Sequence, residues 1–205
     1  MLYLALVQGR KYRILFLRLA FVPIIFVAMF VGRPWKDESL TDFLVEWLGY
    51  AFLLAGMAIR LWSTMYIGGR KSKELVTEGP YSMCRNPLYV GTILLCIGAS
   101  LCLENVLMLV ASLAIIVPVH ALVTMAEEHI LERRFGSTFQ AYKRTVPRFI
   151  PSFRNWRSRE EVLVSTRVIR RAAFEASGIL LIPVLGDLIE NLRRIGVLPV
   201  LWRFP

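Results

Sequence analysis

Residues 14–31, 43–67, 88–103 and 106–125 form four runs of apolar positions, and charged residues gather in the gaps between them. The first run is long enough to cross a hydrocarbon core of about 30 Å, and the pattern predicts an all-α integral membrane protein with four transmembrane helices. Arg18 stands near the start of the first run, within snorkelling reach of lipid headgroups. Glu46 and Arg60 lie near the two ends of the second, with Trp47 and Trp62 where interfacial aromatics belong. Gly68 and Gly69 end that helix, and Glu104-Asn105 makes a tight turn that predicts an antiparallel hairpin of the third and fourth helices. Pro118 removes a backbone donor inside the fourth and predicts a kink. Past Met125 the helical spacing continues, with Glu127, Leu131 and Phe135 on one face and Arg133 and Arg134 elsewhere, so this helix is expected to extend into water.

The tail is patterned differently. Residues 178–185 are apolar but short, interrupted by Pro183 and followed by Asp187, Glu190, Arg193 and Arg194. This predicts C-terminal amphipathic helices lying on the membrane face, with a fifth span as the alternative. The chain then divides into an N-terminal transmembrane hairpin (1–67), a core of motif loop, hairpin and helical extension (68–151), and a basic linker with the amphipathic tail (152–205).

Composition agrees with the pattern. Of the 205 residues 56% are hydrophobic, above the roughly 45–50% of soluble domains, and the mean hydropathy is +0.55. The net charge of +10 lies in the connections. Arg10, Lys11 and Arg13 precede the first run, Arg70, Lys71, Lys73 and Arg85 follow the second, and the segment beginning at Lys143 is the most basic of all. The positive-inside rule puts these three segments, and with them the N-terminus, in the cytoplasm. No basic module carries interleaved aromatics for base stacking, so nucleic acid is not an expected partner. Cys84, Cys96 and Cys102 are too few and too badly spaced for a disulfide framework or a zinc site, and no metal is expected. A cleavable signal peptide is not expected either.

Candidate chemistry sits in two polar stretches, residues 73–91 and 127–151, which the hairpin brings to one membrane face. Arg85-Asn86-Pro87 sets a guanidinium and an amide before a helix start whose free N–H groups can receive an anion; alternatively Pro87 only starts a helix and Arg85 meets lipid phosphate. Glu127 can accept two hydrogen bonds from a vicinal diol such as a ribose, or can pair with an arginine. Together they suggest a nucleoside cofactor at the membrane boundary, while the missing Walker A and GxGxxG patterns disfavour a nucleoside triphosphate or a Rossmann-bound dinucleotide.

Leu75-Val76-Thr77-Glu78-Gly79-Pro80-Tyr81, Arg85-Asn86-Pro87-Leu88-Tyr89-Val90-Gly91, and Glu127-Glu128 followed by Leu131, Phe135-Gly136, Tyr142 and Val146-Pro147-Arg148 resemble the isoprenylcysteine carboxyl methyltransferase family. Its wider membrane methyltransferase group includes phospholipid N-methyltransferases and, more distantly, sterol reductases. The resemblance covers about residues 66–151 and implies S-adenosyl-L-methionine as methyl donor, with a lipophilic acceptor, such as a prenylated cysteine or a membrane lipid, arriving from the bilayer. Carried over by position, the cofactor contacts are Lys73, Glu74, Leu75, Val76, Tyr81, Asn86, Pro87, Leu88, Tyr89 and Glu127. Lys73 stands where a histidine is common and Asn86 replaces the histidine of Arg-His-Pro; both can still donate hydrogen bonds.

Eukaryotic members that methylate prenylated protein ends have an arginine four residues before the first glutamate, to meet the substrate carboxylate. Here that position is Val123. Either Arg148 takes over the pairing, as a substrate-binding and catalytic group, or the substrate is a different lipid. A carboxylate acceptor needs no general base; an amine or hydroxyl does, and His120, one heptad before Glu127, is the candidate, unless it is bonded to a backbone carbonyl. The competing functions are a phospholipid or other lipid N- or O-methyltransferase, a reductase on the same scaffold, and a non-enzymatic lipid-binding protein.

Overall fold

The computed structural model describes residues 39–68, 70, 74–162 and 164–203, together with 26 and 30–32. The expectation of a first span, with Arg18 in it, therefore falls almost wholly outside the described residues. The elements run β1 (Val31–Gly32), α1 (Leu40–Ile67), α2 (Pro80–Met83), α3 (Pro87–Cys102), α4 (Val106–Thr145), a 3-10 turn (Phe153–Asn155), α5 (Thr166–Arg194) and β2 (Trp202–Arg203). Among the described residues the protein is all-helical apart from one two-residue parallel ladder, in which Val31 faces Trp202 and Gly32 faces Arg203. Among the described residues three helices, α1, α4 and α5, are long and apolar enough to cross a membrane. The apolar α3 has 16 residues, a rise of about 24 Å at 1.5 Å per residue.

Local signals set the ends of α1. Ser39 caps its first turn by accepting the Asp42 N–H at 3.2 Å, and Gly68 closes it with an N–H donated to the Thr64 carbonyl at 2.8 Å. Its outward side chains, including Leu40, Phe43, Leu44, Trp47 and Leu48, are exposed, as suits a surface solvated by lipid. The inward face is built on small residues. A Cβ on Gly56 would meet the Gly91 carbonyl at 2.8 Å, and one on Gly98 would meet the Leu53 nitrogen at 2.6 Å, so α1 and α3 pack antiparallel with their backbones nearly touching. Such proximity substitutes dispersion for the hydrophobic driving force that lipid does not supply.

The expected hairpin is present. Residues 103–105 link α3 to α4, Glu104 takes a positive φ of 48°, and the Asn105 side chain caps α4 by accepting the Met108 N–H at 2.9 Å. In α4 the backbone stays helical through Pro118 and leaves the helical region at Gly136 (φ 50°, ψ −124°), so the break falls there and not at the proline. Gly136 has open space where a side chain would stand; its conformation, which a Cβ opposes, is the reason for a glycine. Beyond this corner Phe139, Tyr142 and Val146 turn back to form a small core with Leu75, Leu131 and Phe135.

The tail, expected as amphipathic helices or a fifth span, forms a single helix that is long and apolar enough for the span. Residues 166–194 form one helix laid antiparallel along α1: Val168 lies against Gly68, Glu175 meets Arg60 at 3.4 Å, and Gly186 lies close to the Cys102 carbonyl. β2 then pairs with the strand that precedes α1, so the tail traverses the bundle from end to end. Pro183 stays inside this helix, which membrane helices tolerate where neighbours satisfy the freed backbone groups.

Candidate active site at the motif end of the bundle

Both polar stretches converge where α3 begins and the apolar part of α4 ends. Tyr89, on the first turn of α3, donates its hydroxyl to Glu127 Oε2 at 2.9 Å and stacks its ring on His120, with centroids 4.5 Å apart. His120 and Glu127 are seven residues apart, two turns on one face of α4, so a single tyrosine spans both. Asn86 caps α3 by position, but its amide donates to the Arg148 carbonyl at 3.1 Å and thereby ties the helix start to the second motif.

Glu128 is the hub of the second motif. Its buried carboxylate accepts from Arg85 Nε and Arg148 Nε on Oε1, both at 3.1 Å, and from Arg148 Nη2 on Oε2 at 2.6 Å. Arg85 Nη1 donates further to the carbonyls of Lys143 and Val146 at 2.8 and 2.9 Å. Arg85 is therefore an internal clamp, in place of the expected contact with lipid phosphate. Its side chain is only 9% exposed, and a desolvated guanidinium needs this full set of acceptors. The hydrogen bond to Glu128 also raises the Arg148 pKa, so this guanidinium stays charged.

Arg148 turns the Nε and Nη2 edge of its fork to Glu128, and its side chain is 40% exposed. Val123 is buried at 2% exposure and offers an approaching ligand no polar contact. Leu75 is part of the small core, Glu74 is an exposed side chain at the start of the loop, and Val76 and Leu88 are half-buried. Pro87 is buried at the first turn of α3. Lys73 lies outside the described residues.

Tyr81 fits a ligand site. Its ring is buried, its hydroxyl has no hydrogen-bond partner among the described residues, and a polar atom left so in a native fold calls for a partner from elsewhere. Burial first, then Tyr142, Glu127, Cys84 and Tyr89, pushes its pKa well above the ordinary value, so it is a neutral donor. Its carbonyl accepts the Tyr142 hydroxyl at 2.7 Å, which fixes the α2 turn on the returning segment of α4.

A strap from residues 152–159 closes over this turn. Gly79 N–H donates to the Arg157 carbonyl at 2.7 Å, Arg157 N–H donates to Ser82 Oγ at 3.1 Å, and Glu78 pairs with Arg159. Tyr66 Oη lies 3.0 Å from Ser158 Oγ, and the Trp62 and Trp156 rings pack with centroids 5.2 Å apart. Neither this strap nor the Glu128 hub was anticipated from the sequence. The adjacent glutamates Glu127 and Glu128, about 100° apart on a helix, were the available signal that two different partners are served.

Cys84 is buried in the same turn, and desolvation raises its pKa to about 11. A raised pKa means less thiolate at any given pH, and thiolate is the reactive form. Alkylation of the folded protein with iodoacetamide at pH 8, mapped by mass spectrometry, is expected to leave Cys84 unmodified until the chain is denatured. Rapid labelling in the folded state would show the turn to be open.

Residues 44–138, from α1 to just past the Gly136 corner, match the family described as phospholipid methyltransferase (PEMT). The nickel-cobalt-cadmium resistance protein NccN of Alcaligenes xylosoxydans xylosoxydans is 30% identical over 191 residues, covering 90% of this chain and 86% of that protein. The chain belongs to the membrane methyltransferase group that this family defines. The cobalt-zinc-cadmium resistance protein CzcN of Cupriavidus metallidurans is 27% identical over 177 residues, covering 86% of this chain and 82% of the relative. No solved structure matches. The family match includes Tyr81, Arg85, Asn86, Tyr89, His120, Glu127 and Glu128, and stops before Arg148.

Proposed function

We propose that this protein transfers a methyl group from S-adenosyl-L-methionine to a lipophilic acceptor that reaches the motif end of the bundle from the bilayer, on the cytoplasmic side. The observation that carries the reading is the Tyr89–Glu127 hydrogen bond at 2.9 Å, which joins the first motif to the second beside the unpartnered Tyr81 hydroxyl. When bound, the cofactor supplies an electrophilic methyl on a sulfonium. Glu127 offers carboxylate oxygens to the ribose hydroxyls, with Tyr89 orienting the carboxylate, and Tyr81 donates from the α2 turn. The protein's remaining task is to align acceptor and methyl and to keep bulk water out. His120, held against the Tyr89 ring, would take a proton from an amine or hydroxyl acceptor.

Val123 cannot pair a carboxylate, and Arg148 already spends one edge on Glu128, so a phospholipid or other lipid acceptor suits the site better than an isoprenylcysteine carboxylate. The names of the two relatives connect them to resistance against nickel, cobalt, cadmium and zinc. We carry that context over as a role for the methylated product. Among the described residues no group of three His, Cys, Asp or Glu side chains could hold a metal ion.

Calorimetric titration of the purified protein with S-adenosylhomocysteine tests the reading. Binding is expected, weakened at least about tenfold in Glu127→Ala, because hydrogen bonds to a charged acceptor contribute roughly 1.5–3 kcal/mol. An unchanged affinity would remove Glu127 from the site, and no binding by the wild type would end the proposal.

A further inference from the structure

The hydroxyl of Thr124 is out of keeping with four other hydroxyls on α1, α3 and α4. Ser63 donates to the Ile59 carbonyl at 2.6 Å, Thr92 to Leu88 at 2.9 Å, Ser100 to Cys96 at 2.8 Å, and Ser112 to Leu109 at 3.1 Å. Donation to a carbonyl one turn back is the ordinary way for a hydroxyl in a membrane helix to avoid standing unbonded in an apolar setting. Thr124 makes no such bond. Its side chain is fully buried at 0% exposure, and Oγ1 has no hydrogen-bond partner among the described residues. An unsatisfied buried hydroxyl costs stability, and a valine of the same shape would avoid that cost.

Position says what the hydroxyl is for. His120, Thr124, Glu127 and Glu128 follow one another at helical spacings of four, three and one, so Thr124 shares the face that meets Tyr89 and Arg85. It lies one turn before Glu127, inside the apolar part of α4, whereas Tyr81, Glu127 and Glu128 lie at or beyond the end of that part. A lipophilic molecule entering from the bilayer meets the Thr124 level before it meets Glu127.

We propose that Thr124 is an acceptor-binding residue, whose hydroxyl donates a hydrogen bond to the polar head of the lipophilic methyl acceptor, at an oxygen or nitrogen lone pair, while the donor nucleoside is held one turn further along α4. This rests on the methyl-transfer reading above. It assigns the acceptor's polar group a fixed level in the helix bundle, between His120 and Glu127.

The test uses the full-length protein in native membranes and in detergent, with Thr124→Val, Thr124→Ser and, as control, Ser112→Ala, whose hydroxyl is bonded to its own helix. Three readouts are compared: thermal unfolding without ligand, S-adenosylhomocysteine affinity, and transfer of a radiolabelled methyl group into the lipid fraction. For Thr124→Val the unfolding temperature is expected to hold or rise, nucleoside affinity to stay within twofold, and methyl transfer to fall about five- to tenfold, the effect of one lost hydrogen bond. Thr124→Ser should restore most of the transfer, and Ser112→Ala should leave it unchanged. Undiminished transfer in Thr124→Val overturns the assignment. So does a lowered unfolding temperature that accounts for the lost activity, which marks a structural hydroxyl, or a loss confined to nucleoside affinity, which moves the contact to the donor. If the wild type neither binds the nucleoside nor transfers methyl, the reading of the function falls and this inference with it; if the wild type does both and only the Thr124 prediction fails, that reading stands.

Discussion

Replacing Glu128 by alanine is expected to destabilise the protein by about 3–5 kcal/mol, the cost of removing one partner from a buried ion pair. Three hydrogen bonds from two arginines lose their acceptor at once. Arg148 can turn part of its charge toward solvent, since its side chain is 40% exposed, but Arg85 at 9% cannot. The loss therefore falls mainly on Arg85, whose remaining partners are the carbonyls of Lys143 and Val146. A double-mutant cycle separates this account from a general weakening. Arg85→Met combined with Glu128→Leu removes both charges, and its unfolding free energy should be recovered by at least about 1 kcal/mol relative to the sum of the single changes. Strict additivity of the two substitutions would show that the pair is not coupled.

Gly79→Ala is the second large effect. Gly79 has φ 58° and ψ −133°, a region essentially restricted to glycine, and forcing another residue there costs about 1–3 kcal/mol. The added Cβ would also stand 2.4 to 2.7 Å from three atoms of the Tyr66 ring, too close for either to remain in place. Moving Tyr66 breaks its contact with Ser158, and moving Gly79 breaks its hydrogen bond to Arg157, so either response releases the strap over the α2 turn. The expected result is a lowered unfolding temperature and faster limited proteolysis within residues 152–159. In Gly79→Ala/Tyr66→Ala the steric part of the added burden should be relieved while the dihedral part remains. Wild-type proteolysis of Gly79→Ala would mean that the strap is held by something else.

The sequence foretold the parts of the fold that depend on runs and turns. Apolar stretches located α1, α3 and α4, and Glu104-Asn105 located the connection that brings both motifs to one end. Which of two adjacent glutamates faces which partner was not readable, because that depends on how α4 is rotated against α3. The break at Gly136 was hidden because a glycine inside a helical pattern is usually tolerated without consequence, whereas Pro118 gave a louder signal for a milder local effect. The tail left two outcomes open for a related reason. Pro183 looks like an interruption in water, and nothing in the pattern announced that Gly186 lets α5 approach the Cys102 carbonyl. Thr124 carried no sequence signal, since its oddity lies in a bond that it does not make.

The knot around Arg85 has a consequence for biogenesis. Arg85 and Asn86 reach their backbone partners at sequence separations of 58, 61 and 62 residues. At about 5–20 residues per second, the ribosome delivers those partners roughly 3–12 s after the arginine itself. Through that interval the Arg85 guanidinium waits without its carbonyl partners, and the two motifs stay unjoined until residues 143–148 have been made.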